Sequence, residues 1–265
     1  ASGARQWGRP GRHPFAIGVR KLTDTNGVPA SGRDAGGAMI RFDNVSKTYE
    51  TRRLVHRVLD RLSFTIARGE SLAVCGANGA GKSTLLRLIA GIEHPTSGRV
   101  TRAARTSWPI GFASCFHPTM TGADNARFIA RIYRQDEDAV LAFVEDFAQL
   151  GVFLDQEVQT YSSGMTARLA FGVSLAIDFD CYIVDEVTAA GDVRFRRRCE
   201  AELLDRRDRG TLVMTSHDPY TLELYCTRGA VLYGGALTFF DTVAEACDVH
   251  HALQMRGPAT AHPEA

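Results

Sequence analysis

A buried strand running straight into a glycine-rich turn and then a helix constrains this chain more than any other feature. Ser71-Leu-Ala-Val-Cys75 is apolar almost throughout, as a strand covered on both faces must be. Gly76-Ala-Asn-Gly-Ala-Gly-Lys-Ser-Thr84 follows and matches the pattern G-x-x-x-x-G-K-[ST]. Thr84-Leu-Leu-Arg-Leu-Ile-Ala90 then has helical spacing and stops at Gly91. Glycines at 76, 79 and 81 let the loop turn with its backbone N–H groups inward, where they meet phosphate oxygens. The helix that follows adds its positive N-terminal end. Lys82 brings a mobile charge to the β and γ phosphates, and Ser83 supplies a hydroxyl to Mg²⁺. Gly76, Ala77, Asn78, Gly79, Ala80, Gly81, Lys82, Ser83 and Thr84 are therefore the expected nucleotide-binding residues.

A second element lies about a hundred residues on. Cys181-Tyr-Ile-Val-Asp-Glu186 is an apolar strand ending in two carboxylates. Asp185, at the strand end, is placed to hold Mg²⁺ through water, and Glu186 to accept a proton from an attacking water. Such a pair is also a common solvated turn; its company with the phosphate loop favours the catalytic reading.

Around these elements the pattern alternates strand and helix. Ile40-Arg-Phe-Asp-Asn-Val45 and Arg61-Leu-Ser-Phe-Thr-Ile66 alternate like half-exposed strands, and Leu212-Val-Met214 is a further buried one. Residues 230–240 read as a hairpin turning at Gly234-Gly235. Helices are expected at 125–133, 137–150 and 165–177. Phe128, Ile132, Val140, Phe143, Val144 and Phe147 form apolar stripes expected to enter the core. The sum is an α/β sheet interrupted by a helical insert at about 122–165.

Bulk properties exclude several classes. Lysine plus arginine number 31 against 30 aspartate plus glutamate, so the basic excess of a dedicated nucleic-acid binder is missing. No segment approaches about eighteen uninterrupted apolar residues, so any membrane association goes through a partner or a surface patch. The six cysteines show no CxxC spacing, and Cys75 and Cys181 fall in apolar runs; reduced thiols and a cytosolic chain are expected. Residues 1–38 are rich in Gly and Arg and lack any period. They are expected to be a disordered leader before a domain at 39–250, with a basic arm for anionic lipid or a partner as the alternative. A flexible tail is expected at 251–265.

Five further segments resemble, in order and spacing, those of ABC-type ATPases. Tyr161-Ser-Ser-Gly-Met165 resembles the signature sequence, with Ser162, Ser163 and Gly164 as its contact residues. Ala189-Ala-Gly-Asp192 looks like the D-loop, and Thr215-Ser-His-Asp218 places His217 as the switch histidine. Tyr49 resembles the aromatic residue that stacks on adenine, although His56 is a competing base contact. Phe116-His-Pro-Thr-Met-Thr-Gly122 occupies the Q-loop. The resemblance runs from Met39 to about Glu245. It implies a P-loop NTPase of ABC cassette type: a mixed-sheet RecA-like core, an antiparallel β subdomain and the helical insert. MgATP would bind with Ser83 and Asp185 at the metal, and Glu186, His217 and Lys82 would be catalytic. Two copies would pair head to tail, each ATP lying between the phosphate loop of one and residues 162–164 of the other. Most family members carry glycine at Ser163 and glutamine at His117. Imidazole suits Mg²⁺ poorly, so His117 is read as a residue coupling to the membrane subunit.

Ser107-Trp-Pro-Ile-Gly111, the signature and Asp185-Glu-Val-Thr-Ala-Ala-Gly-Asp192 resemble the ATPases that export capsular polysaccharide across the bacterial inner membrane. Phe-His-Pro at 116–118 instead looks like O-antigen and teichoic-acid exporters. The 48 residues after His217 favour the capsule type. The resemblance implies a peripheral protein on the cytoplasmic face, working with an integral membrane permease that makes most contact with the polymer. It implies no direct nucleic-acid partner. Soluble ABC proteins of translation or repair, which double the cassette or insert a coiled coil, fit less well, as does a binding-only regulator.

Overall fold

The computed structural model describes residues 38–51, 54–186 and 192–255. All of the expected leader but Ala38, most of the expected D-loop and the end of the tail lie outside them. The alternation at 40–45 belongs to a longer strand, β1 (Ala38–Thr51), which buries Met39, Ile40, Phe42 and Val45. β1 pairs antiparallel with β2 (Leu54–Ala67) and, on its other edge, with β4 (Ser97–Arg102). Register shifts interrupt both pairings, one of them beside Asn44, which sits at φ 50°.

The second sheet has six strands in the order β5 (Thr106–Pro109), β6 (Cys181–Asp185), β7 (Thr211–Thr215), β3 (Ser71–Cys75), β8 (Arg228–Tyr233) and β9 (Ala236–Phe240). All neighbours are parallel except β8 and β9, the hairpin that turns at Gly234 and Gly235, both at positive φ. β3 and β7 are buried along their whole length because both faces are covered. One core lies between this sheet, the antiparallel sheet and helix α1 (Lys82–Ala90), which buries Leu85, Leu86, Leu88 and Ile89. Each such side chain contributes about 1.5–3 kcal/mol on burial. The Arg102 guanidinium closes the far end of α1 by donating to the Leu88 and Ile89 carbonyls.

The other face packs against the insert, α2 (Gly122–Ile132), α3 (Glu137–Ala148) and α4 (Ser163–Ala176), and against α5 (Val193–Arg209), α6 (Pro219–Tyr225) and α7 (Val243–Met255). α3 and α4 approach closely at Gly172, where an added Cβ would stand 3.5 Å from the Phe147 ring.

Val140, Val144 and Phe147 are buried as expected, whereas Phe128 and Ile132 are 50% and 58% exposed. The inward face of α2 is instead Ala126, Ile129 and Ala130, whose two alanines let the helix seat closely, and Phe128 and Ile132 fall on the outward side. α7 continues to Met255, past the domain end expected at 250. α5 was not expected. Its apolar positions, Phe195, Cys199 and Leu203, recur every four residues in an arginine-rich background that hides them. Among the described residues no helix is long and apolar enough to cross a membrane.

Candidate nucleotide site

Three adjacent parallel strands, β6, β7 and β3, end at one edge of the sheet, and their C-terminal loops form a cleft of about 370 Å³. Ligands of open α/β sheets bind at such carboxyl ends. β3 delivers the phosphate loop, β6 delivers Asp185 and Glu186, and β7 delivers Ser216 and His217.

The loop is shaped for an anion. Gly79 and Gly81 take φ of 78° and 104°, conformations open to glycine but costly for other residues. Gly81 caps α1 without a side-chain hydrogen bond, and the first turn holds no acidic residue. The free N–H groups and the positive helix end therefore face the loop. Lys82 Nζ donates to the Gly76 carbonyl at 2.6 Å and the Ala77 carbonyl at 3.1 Å, holding the charge inside the turn. Burial pushes the Lys82 pKa below its ordinary value, against the opposing pull of Asp185 and Glu186.

Thr215, buried on β7, organises the carboxylates. Its hydroxyl donates to Asp185 Oδ1 at 2.8 Å, and its carbonyl accepts from the Glu186 N–H at 3.1 Å. Glu186 takes φ 56°, a left-handed conformation that a non-glycine residue adopts only where its surroundings enforce it. Ser83 and Asp185 line the same cleft and offer hard oxygen donors, a set that fits Mg²⁺ held jointly with substrate phosphates. Asp218, next to His217, caps α6 by accepting from Tyr220 and Thr221 N–H groups, which fixes the histidine-bearing turn.

Lys82, Ser83, Thr84, Asp185, Glu186 and His217 thus converge, together with Ala77, Asn78, Gly79 and Gly81. Gly76 and Ala80 do not line the cleft: Gly76 meets β8, where an added Cβ would stand 2.8 Å from the Leu232 carbonyl, and Ala80 packs on the core. Tyr49 does not line it either. Its hydroxyl is held by Glu93 at 2.7 Å, Arg87 at 3.2 Å and Thr84 at 3.3 Å, while its cross-strand partner His56 faces the cleft.

The signature residues stand apart. Ser162 caps α4 by accepting from the Met165 N–H at 3.3 Å, with Ser163 and Gly164 in the first turn. None of the three lines the cleft. Asp192 caps α5 and meets Arg168 of α4 at 2.6 Å. Residues 189–191 lie outside the described residues. His117 is exposed and also outside the cleft, its ring Nδ1 3.0 Å from the Thr119 hydroxyl. Buried Asn125 braces that loop, its amide donating to the carbonyls of His117, Met120 and Thr121. Thr215, Asn125 and Arg168 were not anticipated as site supports. Thr215 alone had a signal, its place two residues before His217 at a strand end.

The sequence profile of the family described as "ABC transporter" matches residues 59–189. The capsule polysaccharide export ATP-binding protein CtrD of Neisseria meningitidis serogroup B is 45% identical over 215 residues, covering 81% of this chain and 100% of that protein. This chain belongs to the ABC transporter ATP-binding proteins. ATP-binding protein BexA of Haemophilus influenzae is 43% identical over 82% of this chain and 100% of its own length. The O-antigen export system ATP-binding protein RfbB of Klebsiella pneumoniae is 37% identical, over 64% of this chain and 71% of that one. The ABC fold is also that of a solved dimeric ATP-binding cassette bound to ADP and phosphate, with a TM-score of 0.65 at 21% identity. That likeness covers 76% of this chain and 98% of the cassette. Proteins of this family bind ATP and hydrolyse it.

Proposed function

We propose that this chain is the motor of a capsular polysaccharide exporter, working as a homodimer beneath integral membrane permease subunits at the cytoplasmic face of the bacterial inner membrane. The observation that carries the reading is the match to CtrD along that protein's whole length. In the proposed reaction the loop N–H groups bind the β and γ phosphates, and Lys82 exchanges its contacts with the Gly76 and Ala77 carbonyls for phosphate oxygens. Ser83 and Asp185 hold Mg²⁺, whose role is to offset phosphate charge. Glu186 accepts the proton of the attacking water, and His217 holds the γ-phosphate side of the cleft. Residues 162–164 complete the site from the second copy, where the α4 N-terminus favours negative charge. Exposed Phe128 and Ile132, one turn apart on α2, support permease docking at the helical insert.

Deleting the gene in its host tests the reading. Loss of surface capsule with polymer accumulating inside the cell is the expected result. An unaltered capsule would remove the assignment. The match to RfbB favours a second reading, O-antigen export, which predicts loss of lipopolysaccharide side chains with the capsule intact.

A further inference from the structure

The C-terminal helix brings a second reactive group to the root of the phosphate loop. Cys75 is the last residue of β3, buried, and joined directly to Gly76. Cys247, on α7, is only partly buried, and its Sγ lies 3.8 Å from Cys75 Sγ, across 172 residues of chain. α7 packs on β3, β8, β9 and α6, so the two thiols join that helix to the strand feeding the phosphate loop. We propose that Cys75 and Cys247 are an oxidisable thiol pair, a disulfide modification site for hydroperoxides, which latches α7 to the phosphate loop and slows ATP turnover.

Their surroundings divide the roles. The hydrogen bond from Cys75 lowers the Cys247 pKa, whereas the same bond and burial raise that of Cys75. Cys247 is therefore the attacking sulfur, and it is also the one that solvent reaches. Its thiolate displaces hydroxide from the peroxide O–O bond and becomes a sulfenic acid. Cys75 sulfur then attacks Cys247 sulfur, its proton leaving with the sulfenic oxygen as water. Each thiol gives up one electron and one proton, and one peroxide is reduced to two waters. Cys226, the other thiol near Cys75, is buried and pushed up to about 12, which disfavours it as the attacking group.

Disulfide sulfurs stand about 2.05 Å apart, so the pair must close by nearly half its present separation. That draws α7 and the end of β3 together. The strand end has little freedom, because Gly76 is packed against the Leu232 carbonyl, so its displacement reaches the loop. α7 also touches α6, whose first turn follows His217.

The test treats the purified full-length chain with hydrogen peroxide, maps its disulfides by non-reducing peptide mass spectrometry, and follows MgATP turnover. The expected result is a peptide pair joined through Cys75 and Cys247, with turnover falling several-fold and returning on reduction. Cys247→Ser should keep its turnover through the same treatment. Recovery of Cys75 and Cys247 as alkylatable thiols while Cys115 is oxidised would overturn the proposal, as would equal peroxide sensitivity of Cys247→Ser. A joined chain that turns over like the reduced one would overturn the latch. The peptide map is independent of transport, so its failure is distinguishable from failure of the export reading.

Discussion

Thr215→Val probes what orients Asp185, the carboxylate proposed to hold Mg²⁺. Valine keeps the buried shape at this fully covered strand end and removes only the hydroxyl. That hydroxyl is the donor to Asp185 Oδ1 at 2.8 Å and a longer second acceptor of the Glu186 N–H at 3.3 Å, whereas the Thr215 carbonyl that receives the same N–H at 3.1 Å is retained. A hydrogen bond to a charged group contributes about 1.5–3 kcal/mol, and each ~1.4 kcal/mol is about tenfold in rate or affinity. The Mg²⁺ concentration for half-maximal ATPase activity should therefore rise about tenfold or more, with kcat at saturating Mg²⁺ less affected because Glu186 keeps its backbone support. Thermal unfolding should drop by about 3–12 °C for a domain of this size. Thr215→Ser restores the donor and should restore the Mg²⁺ dependence. A valine variant with wild-type Mg²⁺ dependence would refute the orienting role, and so would a serine variant as impaired as the valine one.

Glu186→Gln should lower turnover by about a hundredfold or more and leave ATP-bound dimers visible by size-exclusion chromatography, since only the proton acceptor is removed; wild-type turnover would place the base elsewhere. Lys82→Ala should weaken MgATP binding by about ten- to a hundredfold in calorimetry, the loss of a charge-assisted contact. Unchanged affinity would contradict the phosphate-loop assignment. Glu93 has its carboxyl held at about 2, below its ordinary 4.5, by Lys47, Tyr49 and Arg87, whose hydrogen bonds outweigh burial. Its stabilisation is complete above about 4.5 and is lost as pH falls toward 2. Glu93→Gln should therefore unfold more readily at neutral pH and lose the wild-type's extra acid sensitivity within that window, as read by circular dichroism.

The phosphate loop and both carboxylates were legible because their chemistry forces sequence and geometry together. A glycine turn after a doubly covered strand admits few other uses, and Asp185-Glu186 at a strand end gained meaning from it. Tyr49 was not legible in the same way. Its place was set by Arg87 and Glu93, residues 38 and 44 positions away, and no local pattern announces that its hydroxyl is tied to the α1 helix. Phe128 and Ile132 misled because hydrophobic period gives a stripe without saying which side of it is covered. On α2 the inward face carries Ala126, Ala130 and the large Ile129, so apolar size alone does not say which side is covered. No sequence pattern pairs Cys75 with Cys247, since only the packing of α7 on β3 brings them within 3.8 Å.

The cleft and the N-terminus of α4 do not meet within one copy. The cleft gathers the phosphate loop, Asp185, Glu186 and His217, while Ser162 spends its side chain on capping α4 and faces elsewhere. Under the proposed head-to-tail pairing, each α4 N-terminus reaches the γ-phosphate of the other copy. The two halves are nonetheless joined inside a single chain. Arg168 of α4 holds Asp192 at 2.6 Å and lies 5.0 Å from the centre of the Phe195 ring, and Asp192 follows Glu186 by six residues. Arg168 thereby ties the helix that starts at Ser162 to the N-terminus of α5, which Asp192 caps.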